Sequence, residues 1–235
     1  MDPLFLILWS GFAATMAGVG ALLGTRRFPL AGRGLGWANA SAAGLMLGVG
    51  YAVLSAGQAL VPAAAFLGAI AGLLLMGLVD AAPRAPLITQ LPGASEWVLA
   101  SGLHSAIEGI AIGAAATLGA PFGNFLIATF AVHNVSEGAV LGATLVESGW
   151  RRPHAALVTT GARALQPLAA VLILEVTGAT PAAEPWLLGA AFGALLYLII
   201  AEMLPDAYRQ AGRTSIAAVV SLAAGVVALL SRGAR

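Results

Sequence analysis

The sequence predicts an all-α, polytopic membrane protein: one bundle of eight transmembrane helices, with both termini outside the cytoplasm. Three observations predict it. Of 235 residues, 60% are hydrophobic and only 9% charged, with a mean hydropathy of +0.93. Soluble domains run near half apolar and about a quarter charged, so lipid must cover much of this exterior. The apolar residues fall into eight segments of roughly the twenty residues needed to cross a bilayer. Arginines crowd into alternate connections between those segments, as cytoplasmic loops require.

The segments follow from the sequence in order. The first, Pro3–Leu23, is preceded by Asp2 and by no basic residue, so it reads as a retained span rather than a secretory leader. Arg26, Arg27 and Arg33 follow it. The second and third, Leu35–Ser55 and Leu60–Val79, are parted only by Ala56-Gly57-Gln58-Ala59. Asp80–Gly93 carries Arg84 and turn-forming prolines, then Ser95–Leu118 and Phe122–Leu145 are joined through Gly119–Pro121. Arg151 and Arg152 precede the sixth segment, His154–Val176. Gly178–Glu184 leads to the seventh, Pro185–Leu204, and Asp206–Thr214, with Arg209 and Arg213, leads to the eighth, Ser215–Leu230. The other connections hold no Lys or Arg, and only Arg232 and Arg235 break the alternation. An even number of spans agrees with two termini on the same, non-cytoplasmic side. Thirty glycines, dense in Ala40–Gly50 and Gly109–Ala116, supply the small-residue surfaces by which helices pack in lipid. They permit a homodimer without requiring one. The whole chain, 1–235, reads as a single transmembrane domain.

Composition also excludes chemistries. No basic run is long enough to suggest nucleic acid. Eleven Arg with no Lys resembles the usage of a GC-rich bacterial genome, and a bacterial inner membrane is the expected location. Cysteine is absent, so any metal site must use His, carboxylate, amide or Met. Ionisable residues inside a span are costly and by default functional. His104 and Glu108 form one pair in the fourth span, in H-S-A-I-E-G. His133 and Glu137 form another in the fifth, in H-N-V-S-E-G. The i,i+4 spacing puts each pair on one helical face, and a short antiparallel connection allows all four side chains to converge. Imidazole and carboxylate suit zinc, iron, manganese or cadmium. The competing reading is four interhelical hydrogen-bonding groups with no ion.

The repeated H-x-x-x-E-G motifs in the fourth and fifth of eight spans resemble the ZIP (Zrt/Irt-like) family, and the resemblance extends over nearly the whole chain. Ala42-Ala43-Gly44-Leu45-Met46-Leu47 looks like that family's Met-bearing segment. Leu165-Gln166-Pro167-Leu168 is similar to a segment where Glu-Pro is usual, and Ala201-Glu202-Met203-Leu204-Pro205 to an acidic residue followed by Pro. The resemblance implies alternating-access or elevator-like movement of a divalent transition metal, zinc first, toward the cytoplasm. It implies transport rather than enzymatic catalysis, with the metal as cargo. It implies a first metal position at Met46, His104, Glu108, His133 and Glu137. Met46 read alone is core filler. The family's second position would draw on Ser105, Asn134 and Gln166, where Ser105 stands in place of Asn and Gln166 in place of Glu.

Arg163 lies within the sixth span, one turn before Gln166. Either its guanidinium meets Glu108 or Glu137 and replaces a second metal, leaving a mononuclear site, or it snorkels or pairs elsewhere. Glu202 and Asp206 are candidates for a cytoplasmic exit, whereas Asp80 and His154 read as interfacial, and Glu175 and Glu184 as water-facing on the other side. Two alternatives to transport stay open. One is a family-like protein that binds or senses metal without moving it. The other is an intramembrane metallohydrolase, which the missing H-E-x-x-H motif disfavours.

Overall fold

Proline and glycine place most of the helix ends. The computed structural model describes residues 1–24, 33–81 and 94–234, of which 94–97 through the backbone alone. The connections carrying Arg26, Arg27 and Arg84 lie outside the described residues, as does Arg235. Helix α1 spans Pro3–Gly24, α2 Arg33–Leu60 and α3 Pro62–Ala81, followed by α4 Ala94–Thr117 and α5 Ala120–Glu147. The sixth span is α6 Arg152–Ala162 and α7 Leu165–Ala179. The seventh comprises a 3-10 turn at Pro181–Ala183, α8 Glu184–Leu198, a π-helical segment Ile199–Met203 and α9 Leu204–Ala211. The last is α10, Arg213–Leu230, closed by a 3-10 turn. Among the described residues these runs give eight spans long and apolar enough to cross a bilayer, in agreement with the predicted all-α bundle.

Several boundaries differ from the sequence reading. The polar stretch Ala56-Gly57-Gln58-Ala59 does not break the chain; α2 continues through it, and only Val61 separates α2 from α3. Pro62 occupies the first position of α3, where its missing N–H leaves no bond unmade. The expected loop at Asp206–Thr214 is helical up to Ala211, and the turn is made at Gly212, whose φ of 80° suits a residue without Cβ. The sixth span is not one straight helix. Arg163 and Ala164 form a turn, with the Arg163 N–H bonded to the Thr160 carbonyl and the Gln166 N–H to the Arg163 carbonyl. Pro167 accounts for it: its ring would clash with the carbonyl four residues back, that of Arg163, and it donates nothing. In the same way Pro205 follows the π-helical segment that carries Glu202.

Close helix approach uses the glycines. On α5, Gly138 and Gly142 face the backbone of Ala17 and Ala21 on α1, so that any Cβ there would collide. Gly189 and Gly193 of α8 meet α3 at Ala65 and Ala69, Gly109 and Gly113 of α4 meet α7 at Gln166 and Ala170, and Gly44 and Gly48 of α2 meet α10. This is packing by small residues, as expected where lipid removes the hydrophobic drive between helices. The second span is the most enclosed, with 67% of its central window buried, against 22% for the third and the eighth. Helices α2, α4 and α5 therefore surround the interior, while α3 and α10 offer leucines such as Leu78, Leu222 and Leu229 outward.

Candidate metal centre

The i,i+4 pairs on α4 and α5 face each other, as their spacing predicts. One ligand atom from each of His104, Glu108, His133 and Glu137 lies within 4.8 Å of all the others. The His133 Nε2 is 3.0 Å from Glu108 Oε1 and 2.9 Å from Glu137 Oε2. His104 Nε2 stands farther off, 3.7 Å from Glu108 Oε1 and 3.9 Å from Glu137 Oε2. Helix α2 adds the Met46 thioether, whose Sδ is 3.3 Å from His104 Nε2. Met46, Glu108 and His133 are fully buried, and Glu137 keeps 16% of its side chain accessible.

The donor set fits a borderline divalent ion. His133 Nδ1 lies 3.1 Å from the Ala42 carbonyl, which can only accept, so the Nδ1 proton is held there. Nε2 then presents a lone pair to two carboxylate oxygens unless it too is protonated. A cation shared among these atoms resolves that convergence of acceptors, and the Nδ1–H···O=C bond is the usual outer support of a ligating imidazole. Met46 places a soft thioether beside an otherwise His/carboxylate set.

Arg163 reaches the same carboxylates. Its Nη1 donates to Glu108 Oε1 at 3.1 Å, and its Nη2 is paired with Glu137 Oε1. It is fully buried, which excludes the snorkelling alternative. The turn enforced by Pro167 is what sets the Arg163 side chain at the end of α6 rather than along a continuous helix. Asn134 and Gln166 lie together behind the cluster, Asn134 Nδ2 donating to Gln166 Oε1 at 3.0 Å and to the Ala13 carbonyl at 2.9 Å. Ser105 is not drawn into the cluster. Its hydroxyl lies 2.8 Å from the Gly102 carbonyl and 3.2 Å from that of Ala162, tying α4 to the end of α6.

A cavity of about 240 Å³ opens on the cluster at His104 and Glu137, and continues past Asn39, Ser101, Thr144, Glu202, Asp206 and Gln210. Its walls come from the first turns of α2 and α4, the last turns of α5, and the end of the seventh span. Consecutive spans run in opposite directions, so these ends share one face of the bundle, the face on which the described Arg33, Arg151, Arg152, Arg209 and Arg213 lie. Glu202 and Asp206, singled out from sequence, thus line the cavity that opens on the cluster. Asp80 and His154 are exposed, and Asp80 accepts a 2.7 Å bond from the Tyr197 hydroxyl. On the other side Glu175 is exposed, while Glu184 is half-buried and bonded by the Thr117 hydroxyl rather than free in water. The Ala42 carbonyl and Tyr197 were not anticipated. A backbone acceptor carries no sequence signature, and a tyrosine near a span end reads first as an interfacial anchor.

Comparison with known proteins agrees with this geometry. Residues 81–231 match the family model described as ZIP zinc transporter. An Arabidopsis thaliana protein provisionally named as a zinc transporter is 30% identical over 131 residues. That alignment takes in 55% of this chain and 21% of the plant protein, so the chain spans about a fifth of that relative's length. The family match covers well over half of the chain, both paired motifs and the segments bearing Arg163 and Glu202. The chain therefore belongs to the ZIP zinc transporter family.

Proposed function

We propose that this protein carries a divalent transition metal, zinc first and iron, manganese or cadmium with it, across a membrane toward the cytoplasm. The observation that carries the reading is the buried His/Glu cluster opening into a cavity whose far walls hold Glu202 and Asp206. Met46, His104, Glu108, His133 and Glu137 ligate the ion. Glu202 and Asp206 receive it on release. Alternating access supplies the transport step: the site opens to one side at a time. The arginines of alternate connections support an orientation with the open end of the cavity on the cytoplasmic side and both termini opposite. The whole chain acts as one transmembrane domain, and the arginine-only basic composition favours a bacterial inner membrane.

Arg163 takes the place of a second metal, and the site is mononuclear. Two carboxylates facing one guanidinium and two neutral imidazoles sum to −1, and one dication brings the set to +1. A second dication would raise it to +3 at a depth where charge is costly. Asn134 and Gln166 bond to each other and make neutral, weak ligands, which favours the same stoichiometry.

The test is zinc and cadmium uptake into proteoliposomes by the wild type, His104→Ala and Glu137→Gln. Saturable wild-type flux, lost in both variants, is the expected result. A folded, inserted wild type that binds zinc calorimetrically but passes none would make the protein a metal-binding subunit, and would overturn the transport reading.

A further inference from the structure

Away from the metal cluster, the start of α2 and the turn between α9 and α10 enclose an open depression of about 350 Å³, lined by Arg33, Trp37, Ala211, Gly212, Arg213, Thr214 and Ser215. Its chemistry is opposite to that of the metal route. No carboxylate lines it, and two guanidinium groups do. Neither Arg33 nor Arg213 forms an ion pair among the described residues, whereas the neighbouring Arg209 is spent on Asp206. Trp37 is 47% exposed, and its indole N–H and the Thr214 hydroxyl have no partner among the described residues. Ser215 already donates its hydroxyl to the Ala211 carbonyl at 2.7 Å. The depression thus presents donors and positive charge with no competing carboxylate, the complement of a phosphate-type anion.

Its depth identifies the source of that anion. Arg33 and Arg213 stand at the first residues of two membrane spans, where headgroups lie. Trp37 is one turn inside, the depth at which tryptophan settles. Basic pockets between spans on the cytoplasmic side hold acidic headgroups, and the exposed leucines of α10, such as Leu222, give acyl chains a surface to follow.

We infer that this depression binds the phosphate of an anionic phospholipid headgroup, clamped between Arg33 of α2 and Arg213 of α10. The site has a structural consequence. Gly36 of α2 lies against Ala211 of α9 so closely that a Cβ would collide, and Asn39 and Gln210, at the edge of the metal route, come from the same two helices. A bound headgroup joins α2 to α10 across the turn at Gly212, and so braces the mouth through which metal leaves.

The experiment is native mass spectrometry of the detergent-purified full chain titrated with phosphatidylglycerol or, as control, phosphatidylcholine. It compares the wild type with Arg33→Gln/Arg213→Gln and with Arg232→Gln at the far end of the last span. Each interfacial arginine contributes about a five-fold preference for an acidic lipid, so the double variant should lose roughly twenty-five-fold in phosphatidylglycerol retention. Arg232→Gln should match the wild type. Equal retention by the double variant, with an unchanged melting temperature, would overturn the proposal. Inorganic phosphate alone is the second probe: if it protects the wild type against heat as strongly as the lipid does, the ligand is a soluble anion and the lipid assignment fails. Lipid retention is read without metal or flux, so its outcome is independent of the transport assay.

Discussion

Replacing Arg163 by Gln removes the positive charge and leaves a shorter, neutral polar side chain. In the wild type the guanidinium is fully buried against Glu108 and Glu137. Deleting one partner of such a network costs roughly 3–5 kcal/mol, because the other charges stay buried and unpaired. At this chain length that is a drop in Tm on the order of 10 °C in the presence of chelator. Zinc should reverse much of it. A Zn–O bond is about 2.0–2.2 Å, and Arg163 Nη1 is 3.1 Å from Glu108 Oε1, so an ion on that oxygen sits about 5 Å from the guanidinium. At an effective dielectric near 20 the repulsion between +1 and +2 at that distance is roughly 6–7 kcal/mol before screening. The carboxylates absorb most of it, and a residual of about 1.4 kcal/mol already tightens Kd ten-fold. The expected result is a low apo Tm, a zinc-induced rise larger than in the wild type, a Kd at least about ten-fold tighter, and a stoichiometry above one. The assays are thermal melting with and without zinc, and isothermal titration. A zinc-induced rise no larger than in the wild type, with Kd unchanged or weaker, would refute the assignment of Arg163 as the fixed second cation.

Met46→Leu keeps the volume and removes the sulfur, so stability should shift by less than about 1.5 kcal/mol, while the ratio of cadmium to manganese affinity falls; an unchanged ratio by competition titration would return Met46 to the role of core filler. Gly142→Leu should lower Tm sharply, since any Cβ meets Ala21 on α1, whereas Gly225→Leu, with open space around it, should be neutral; equal effects would contradict the proposed α1–α5 seam. Glu202→Gln should lower the maximal uptake rate with little change in zinc Kd at equilibrium, because Glu202 lines the route and not the cluster; a Kd raised as strongly as in His133→Ala would place Glu202 among the primary ligands instead.

Much of this was legible because bilayer chemistry leaves coarse marks. Twenty apolar residues specify a span, and an ionisable group within a span specifies a site. The convergence of His104, Glu108, His133 and Glu137 followed from i,i+4 spacing on two helices joined by a short turn. A contact of Arg163 with Glu108 or Glu137 was one of two readings, snorkelling or pairing elsewhere being the other, and only its burial against both glutamates decides between them. What was not legible depends on backbone. Gln58 suggested a break, yet a lone amide near a span end is tolerated in helix. The tail of the seventh span, Asp206–Ala211, looked like loop because it is polar, whereas it continues the helix beyond Pro205 to the turn at Gly212. The bend at Arg163 was encoded by Pro167, four residues downstream, but proline early in a helical segment has two readings, a start or a break, and the length of the sixth span allowed either. Ser105 matched a family position, while its hydroxyl is satisfied by carbonyls of α4 and α6.

The bend and the arginine together bear on how metal and conformation are linked. The same carboxylate oxygen, Glu108 Oε1, is 3.0 Å from His133 Nε2 and 3.1 Å from Arg163 Nη1. A dication drawn to that oxygen, rather than to the unpartnered Glu108 Oε2, competes with the guanidinium for its lone pairs, and binding there lengthens an Arg163 contact. Arg163 is not free to yield by swinging along a straight helix, since it sits in the turn that Pro167 imposes between α6 and α7. Its retreat therefore moves the junction of those two helices, and α7 is packed by Gly109 and Gly113 directly onto α4, which carries His104 and Glu108. Close-packed interfaces of this kind shift between discrete arrangements rather than deform smoothly. On this argument the charge that stabilises the empty site is also the lever by which a bound ion acts on the helices around it.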